Sequence, residues 1–337
     1  MTSKNLHWVA DVPKAELHAH LEGTITPKRL RALAAKAGET VPEHVLRDDN
    51  SFEWSDFNEF LTCYDLAASY VRSPEDYYQI ALDYLAESAA EGGIYTELII
   101  SPDHAAAQGI SYPEQLAVLE SAIDDARQKY SIEARLSFSL VRHYGVEQGL
   151  KTAQLTRKHP HKYVTGFQMA GAENAGDLSE WAKAFAIAAD AGLSLHVHSG
   201  EWLGPDSITE TLDRLRGHDW RIARIGHGVR AIESATLVQR LIDEEIVLEV
   251  CPLSNLALKV FSDPVDHPFD KLKRQGVKVT LNSDDPPHFN SSIGAEYEFA
   301  ARQWSYTVED LVEITRTAIL AGFVDDATRA LLLAKLE

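Results

Sequence analysis

Short runs of apolar and β-branched residues recur along the chain and alternate with longer segments rich in Ala, Leu and Glu. Runs of this length are typical of buried strands, whereas the longer segments have the spacing of helices. The pattern predicts eight strands, at residues 14–20, 94–101, 134–142, 164–171, 193–200, 224–228, 246–252 and 277–285. Helical segments, several of which end at Gly, are predicted between them at 74–92, 112–130, 178–192, 207–217 and 232–244.

The alternation of strands and helices is typical of successive βα units built around a parallel sheet. Eight such units predict an α/β fold of the TIM type, a (β/α)8 barrel. No linker rich in Pro, Gly or Ser and no low-complexity tract divides the chain. We therefore expect residues 1–337 to form a single barrel domain.

The connection after the first predicted strand, residues 21–93, is far longer than one crossover helix requires. It predicts extra helices inserted after strand 1, because aromatic and apolar residues recur there at spacings of three and four. These residues are Phe52, Trp54, Phe57, Phe60, Leu61 and Tyr64. Two interpretations stay open: additional packing against the barrel, or a lid over the end where barrel enzymes carry their sites.

Charge and cysteine content narrow the class of protein. The 337 residues include 32 Lys and Arg against 51 Asp and Glu, a net charge of −19, so neither nucleic acid nor an anionic membrane is expected as a partner. Residues 1–12 lack the pattern of a signal peptide, and no apolar stretch approaches the roughly 18 residues of a membrane helix. Only Cys63 and Cys251 are present, which predicts a cytoplasmic protein without a disulfide scaffold. Formation of a homo-oligomer stays open.

Histidine and aspartate residues stand at the ends of several predicted strands. His18 and His20 are two apart on the first strand, so both point to the same face. His198 ends the fifth strand and Asp284 ends the eighth, and barrel enzymes build their sites from such carboxyl ends. A single histidine at a strand end is usually structural, but three imidazoles and a carboxylate together suit Zn²⁺ better than Mg²⁺ or Ca²⁺.

Three further residues at strand ends are candidates for catalysis. Glu201 follows His198 by three residues, where a buried carboxyl with a raised pKa would act as a general acid. Its alternative role is that of a first-turn Glu favoured by the helix dipole. His227 lies between two glycines and is either a partner of the nucleophile or a core histidine at a turn. Asp285 follows Asp284 and is expected to point to the mouth of the barrel.

Other residues and motifs argue against different chemistry. His196 lies one layer deeper on the fifth strand, where a hydrogen-bonded core role is expected. Cys251 has no activating partner in the sequence, so we expect a small buried residue rather than a nucleophile. The chain has no Gly-rich phosphate loop, no Gly-x-Ser-x-Gly elbow and no dinucleotide fingerprint.

Five motifs together resemble the adenosine and adenine deaminase family of the amidohydrolase superfamily. They run in the family's order from about residue 13 to residue 299. The motifs are Pro-Lys-Ala-Glu-Leu-His-Ala-His-Leu-Glu-Gly at 13–23, His-Ser-Gly-Glu at 198–201, Arg-Ile-Gly-His-Gly at 224–228, Cys-Pro-Leu-Ser-Asn at 251–255 and Asn-Ser-Asp-Asp-Pro at 282–286. The resemblance implies hydrolytic replacement of the 6-amino group of a purine by oxygen.

The resemblance also implies a metal site with one zinc ion, held by His18, His20, His198 and Asp284. Related barrels with two metals use a carboxylated lysine at the end of strand four. Here the nearest lysine, Lys162, precedes that strand, so a single metal is expected.

Roles for the remaining site residues come from the same resemblance. Glu201 would protonate ring N1, and His227 would orient the hydroxide that attacks C6. Asp285 would hydrogen-bond N7, and the backbone N–H of Gly171 would reach N3.

Two positions depart from many adenosine deaminases. Glu22 replaces an Asp that helps to hold ribose, and Ala172 replaces a carboxylate after strand four. Glu22 is still predicted to bind substrate, but the departures favour free adenine slightly over adenosine. An N6-substituted adenine, a modified adenosine, or an ester or amide cleaved by the same zinc site are the alternatives.

Overall fold

Eight parallel strands pair in sequence order around the barrel. The structure, a computed structural model, describes residues 6–47 and 51–337. The strands are β1 (Lys14–His20), β2 (Gly93–Ile100), β3 (Glu133–Val141), β4 (Val164–Ala170), β5 (Ser194–Ser199), β6 (Arg224–His227), β7 (Val247–Val250) and β8 (Lys278–Leu281). The predicted TIM-type barrel is confirmed, and each of the eight predicted strands matches an observed one.

The predictions also cover two short segments, residues 1–5 and residues 48–50. Residues 1–5 belong to the stretch in which no signal peptide was predicted, and residues 48–50 belong to the predicted insertion. Both lie outside the described residues. Within 6–47 and 51–337, no helix is long and apolar enough to cross a membrane.

Helices alternate with the strands and cover the outside of the barrel. They are α1 (Pro27–Lys36), α2 (Phe57–Ser69), α3 (Pro74–Ala90), α4 (Pro102–Ala107), α5 (Tyr112–Tyr130), α6 (Val146–Lys158), α7 (Leu178–Asp190), α8 (Pro205–Arg214), α9 (Ala235–Asp243), α10 (Pro252–Ala257), α11 (Phe269–Arg274), α12 (Pro286–Phe289), α13 (Ile293–Gln303), α14 (Val308–Ala321) and α15 (Asp326–Ala334). Local sequence fixes several starts: α5 begins at a capping box in which Ser111 and Glu114 satisfy each other's backbone N–H groups.

The barrel closes at the seam between β1 and β8. His20 N donates to Asp284 O at 2.9 Å, and Asp284 N donates to His18 O at 3.1 Å. The two predicted metal ligands on β1, His18 and His20, are therefore joined through the backbone to another predicted ligand, Asp284. Closure of the sheet and assembly of the candidate site use the same residues.

A buried ionic network, the floor network, crosses the barrel interior and consists of Glu97, His196, Arg224 and Glu249. Arg224 donates from Nη2 to Glu97 and from Nε to Glu249, each at 2.5 Å. His196 Nδ1 lies 3.0 Å from Glu249 Oε1 and its Nε2 lies 2.5 Å from Ser137 Oγ, as the predicted core role requires. Buried charges are tolerated when they are paired in this way.

The long connection after β1 contributes both packing and cover. α3 packs against β2 and α5, whereas α2 places Phe57, Phe60, Leu61 and Tyr64 along the cavity at the carboxyl ends of the strands. The interpretation as extra packing thus fits α3, and α2 lies where a lid would lie. Movement of α2 as a lid stays a prediction, as does the assignment of the whole chain to one domain.

Candidate active site

Four side chains converge at the carboxyl ends of β1, β5 and β8: His18, His20, His198 and Asp284. One ligand atom from each lies within 4.8 Å of the others. Nε2 of His20 and Nε2 of His198 are 3.2 Å apart. Asp284 Oδ1 is 3.4 Å from His18 Nε2 and 3.5 Å from His20 Nε2. Ligand atoms about 2.0–2.1 Å from one tetrahedral zinc ion would be roughly 3.3 Å apart, so the donor set fits zinc.

Hydrogen bonds fix the direction of these ligands. His18 Nδ1 lies 2.8 Å from Glu249 Oε2, and His198 Nδ1 lies 2.9 Å from Gln168 Oε1. Each bond places the proton on Nδ1 and leaves Nε2 free to bind a metal. His18 Nε2 is buried and has no hydrogen-bond partner, which also fits a bound cation.

The electrostatics of the cluster favour a cation at its centre. Burial lowers the pKa of His20 to about 3, so this imidazole is neutral and available as a ligand. Burial also lowers the pKa of His18, but Asp284 and Glu249 outweigh it and raise that pKa to about 9. The two carboxylates that favour a proton on His18 would equally favour a metal ion beside it.

Glu201 lies just beyond β5, close to the metal cluster, and is 7% exposed. Burial raises its pKa well above the ordinary value, and the charges of Asp284 and Glu173 add to the rise. A carboxyl group in this environment holds its proton to a higher pH than an exposed carboxyl does, and it can deliver that proton to a bound base. The chemistry predicted for Glu201 is therefore available to it.

His227 stands between Glu201 and the metal cluster. Its Nε2 is 3.8 Å from Glu201 Oε2 and 3.9 Å from Asp284 Oδ2. His267 Nε2 lies 3.2 Å from Asn255 Oδ1, which turns the Asn255 amide N–H towards His227 Nδ1 at 3.3 Å. This arrangement places the proton of His227 on Nε2, which faces the space between the two carboxyl groups.

Glycines make room for the side chains of the site. A Cβ on Gly226 would lie 2.9 Å from His18 Cε1, and a Cβ on Gly23 would overlap Asp285 Oδ1. Asp285 is 3% exposed, and its buried Oδ1 has no hydrogen-bond partner. The Leu-Glu-Gly-Thr run at 21–24 therefore brings the backbone of Gly23 against Asp285, and Asp285 lines the cavity.

Gly171 follows β4 in a left-handed conformation, with φ of 89°. A side chain there would be strained, and its Cβ would lie 2.8 Å from His143 Nδ1. Gly171 lines the cavity together with Asp285, as the predicted contacts with two edges of one purine require.

Glu22 lies behind the cavity wall. It is 1% exposed, and its carboxylate accepts from Tyr77 OH and Ser101 N at 3.3 Å and from Tyr64 OH at 3.5 Å. Tyr64 and Ser101 line the cavity, but Glu22 does not. Any effect of Glu22 on a substrate would therefore act through these neighbours.

The cavity encloses about 670 Å³ including its mouth. Its polar end holds the metal cluster, Glu201 and Asp285, and its other walls are largely apolar. The apolar lining includes Phe57, Phe60, Leu61, Ile99, Val141, Leu258 and Phe289. A flat aromatic ring with polar atoms along its edge is the shape and chemistry that such a cavity accepts.

Several residues that support the site were missed in the sequence. Gln168 and Glu249 orient His198 and His18, and Ser254 donates to Asp284 Oδ2 at 2.7 Å. The period of two along β4 and β7 could have indicated that Gln168 and Glu249 face the barrel interior.

Cys251 is buried, as predicted, and burial raises its pKa well above the ordinary value. It also forms a second, overlapping group of potential ligands with His18, His227 and Asp284.

An eight-stranded barrel with three histidines and an aspartate at the carboxyl ends of its strands defines the class of metal-dependent barrel hydrolases. The family model described as adenosine deaminase matches residues 13–337. The chain belongs to the adenosine deaminase family, and it is a hydrolase that acts on C–N bonds.

Curated relatives are similar over almost their whole length. An adenine deaminase of Sinorhizobium medicae is 44% identical over 328 residues, which cover 97% of this chain and 99% of the relative. An adenine deaminase of Chelativorans is 45% identical over 324 residues, or 96% and 98% of the two chains.

Solved structures show the same fold. The adenine deaminase from Arthrobacter aurescens has a TM-score of 0.87 and 27% identity, over 96% of this chain and 98% of the other. The N6-methyl-AMP deaminase from Arabidopsis thaliana has a TM-score of 0.85 and 25% identity, over 98% of each chain.

Proposed function

We propose that this chain is an adenine deaminase, which converts free adenine and water to hypoxanthine and ammonia. The observation that carries the proposal is the position of Glu201, a buried carboxyl with a raised pKa beside the metal cluster, in a cavity with apolar walls. Ring protonation requires such an acid, whereas most ester and amide hydrolyses do not. The adenine deaminases with 44–45% identity over nearly the whole chain also support it.

Zinc is the proposed cofactor, one ion per chain, held by His18, His20, His198 and Asp284. When bound, zinc supplies a Lewis acid that activates water for attack at neutral pH. The chain's own contribution to the metal is the orientation of the ligands, through the bonds from His18 to Glu249 and from His198 to Gln168. We expect the site to bind zinc in preference to Mg²⁺ or Ca²⁺, because three of its four ligands are imidazoles.

The protein side chains have separate roles in the proposed reaction. Glu201 donates its proton to N1, which withdraws electrons from C6 and favours attack there. His227 presents Nε2–H to the attacking oxygen. The carboxyl of Asp285, whose pKa is raised well above its ordinary value by burial and by Asp284, donates its proton to N7. Gly171 offers its N–H to N3. Of the two protons of the attacking water, one restores Glu201 to its acid form and the other passes to the amino group, which leaves as ammonia when the C6–N bond breaks.

The surroundings of Glu22 support the free base over the nucleoside. The carboxylate that would face ribose accepts hydrogen bonds from Tyr77, Ser101 and Tyr64 instead. Glu22 also does not line the cavity, so a sugar hydroxyl held there would not reach its carboxylate directly. The aromatic side chains of α2 occupy the adjacent wall of the cavity.

Turnover of adenine, adenosine and N6-methyladenine tests this proposal. The three substrates are compared by the loss of 6-aminopurine absorbance and by the amine released, which is ammonia for adenine and adenosine and methylamine for N6-methyladenine. We expect kcat/KM for adenine to exceed that for adenosine by at least about 100-fold, since a site must exclude a whole sugar. Glu22→Gln should leave the preference unchanged. A higher kcat/KM for adenosine or for the N6-methylated base would contradict the assignment.

The purine is the proposed small-molecule partner of the chain. The absence of nucleic-acid and membrane partners, a cytoplasmic location and the state of oligomerisation stay predictions, the first of them from the net charge of −19.

A further inference from the structure

The carboxylate of Glu173 joins the segment after β4 to the turn after β5. Oε1 accepts from Gly200 N and Ser207 Oγ, each at 2.5 Å. Oε2 accepts from Trp202 N at 2.9 Å and from Leu203 N at 3.0 Å. One half-buried side chain thus satisfies three backbone N–H groups in the turn that contains Glu201.

Arg142 fixes the same two segments from below. Its Nη1 donates to the backbone oxygen of Glu173 at 2.6 Å, and its Nη2 donates to the backbone oxygen of His198 at 2.5 Å. Arg142 is 4% exposed, and its bond to His198 is buried whereas its bond to Glu173 is partly buried. The backbone of Glu173 is therefore held at a set distance from the strand that carries the metal ligand His198.

The carboxyl of Glu201 lacks such anchors. Within residues 6–47 and 51–337 no hydrogen bond to it is found, and His227 Nε2 lies 3.8 Å from Glu201 Oε2. A catalytic acid has to lie within hydrogen-bond reach of the atom that it protonates. The position of Glu201 consequently depends on the backbone of its turn, and that backbone is held by Glu173.

We propose that Glu173 is a positioning residue that holds the 200–203 turn so that Glu201 can reach N1 of the substrate. This inference rests on the proposed function, because it assigns the acid role to Glu201. Ala172 stands where many adenosine deaminases have a carboxylate. The next residue, Glu173, does carry a carboxylate, and we assign to it the role of holding the 200–203 turn.

Glu173→Gln tests the proposal, because an amide keeps the size of the side chain but replaces one acceptor oxygen with a donor. Either the Gly200 and Ser207 pair or the Trp202 and Leu203 pair then loses its acceptor. We expect kcat for adenine to fall about 10- to 100-fold with KM within about threefold, since a displacement of about 1 Å costs up to 100-fold. Zinc content should be unchanged.

Glu91→Gln is the matched control. The Glu91 carboxylate also joins two segments, by accepting from Ser292 Oγ at 2.9 Å and Gly294 N at 2.8 Å, but it does not line the cavity. We expect kcat of this variant to stay within about twofold of wild type. An equal loss in both variants would show a general effect of weakened loops and would overturn the proposal.

A double variant separates positioning from an independent role. Residues that act as one unit are not additive, so Glu173→Gln should cost less than about threefold when Glu201 is already Gln. A double variant whose loss in kcat equals the product of the two single losses would contradict the proposal. A Glu173→Gln enzyme with wild-type kcat would also contradict it.

Hydrogen exchange of the peptide spanning 198–207 gives a readout that needs no substrate. We expect faster exchange at Gly200, Trp202 and Leu203 in Glu173→Gln and none of this change in Glu91→Gln. Unchanged exchange would overturn the positioning role, even if wild-type protein failed to turn over adenine. Failure of wild-type turnover alone would instead refute the proposed function.

Discussion

The floor network and the mouth of the barrel both bury ionisable side chains, but they differ in how these are partnered. In the floor network, Arg224 is bonded to both Glu97 and Glu249. The mouth group, which consists of Glu201, His227 and Asp285, keeps polar atoms without close protein partners, such as Asp285 Oδ1. Buried polar atoms destabilise a fold unless they are hydrogen-bonded. The mouth group is therefore suited to binding a ligand, whereas the floor network is suited to stabilising the fold.

The largest expected effect is the loss of the acid in the mouth group. Glu201→Gln keeps the shape of the side chain but cannot donate an acidic proton to N1. We expect kcat for adenine to fall about 100- to 10,000-fold, the range for general acid catalysis. Zinc content by elemental analysis should equal that of wild type. Turnover within a fewfold of wild type would show that another group supplies the proton.

Disruption of the floor network should act first on stability, and through Glu249 it also reaches the metal ligand His18. Arg224→Met leaves Glu97 and Glu249 as buried, partly unpaired carboxylates, which costs about 3–5 kcal/mol in other buried pairs. Denaturant unfolding measures this free energy. Lys278→Met is the control, because its partner Glu245 is exposed and such pairs contribute about 0–1 kcal/mol. Equal losses in the two variants would remove the contrast between floor and surface.

A smaller effect is expected at Asp285. Asp285→Asn keeps a hydrogen-bonding side chain but changes the group that meets N7. A hydrogen bond to a charged or protonated partner contributes about 1.5–3 kcal/mol, so kcat/KM for adenine should fall about 10- to 100-fold. Steady-state kinetics with 7-deazaadenine gives the control, because the variant and the wild type should differ little when N7 is absent. A full loss with 7-deazaadenine would place Asp285 elsewhere in the reaction.

The smallest expected effect is the pH dependence of stability at Glu201. Burial raises its pKa above the ordinary value of 4.5, so the folded state retains a proton that the unfolded state loses as pH rises. The wild type therefore loses stability relative to Glu201→Gln as pH rises above about 4.5 and through the neutral range. Melting temperatures at pH 5 and pH 8 measure the difference. A melting temperature of the wild type that rose relative to that of Glu201→Gln between pH 5 and pH 8 would contradict the raised pKa.

The sequence predicted the fold and the main site residues because both follow short-range rules. His18 and His20 share a face by the period of a strand, and strand ends share one rim of a barrel. The period of two places Glu249 and Gln168 on the inward face, but the histidines that they orient could not be identified, since those contacts join strands far apart in the chain. Glu22 was predicted to bind substrate. Only the packing of α2 and α3 reveals that Tyr64 and Tyr77 donate hydrogen bonds to its carboxylate.

Titration of metal-free protein with zinc, with adenine turnover and bound metal followed together, tests the central claim most directly. We expect turnover to rise in proportion to bound zinc and to level off at one ion per chain, because His18, His20, His198 and Asp284 form one cluster. His198→Ala should bind little zinc over the same range. Full turnover by metal-free protein, or a plateau only at two ions per chain, would contradict the account.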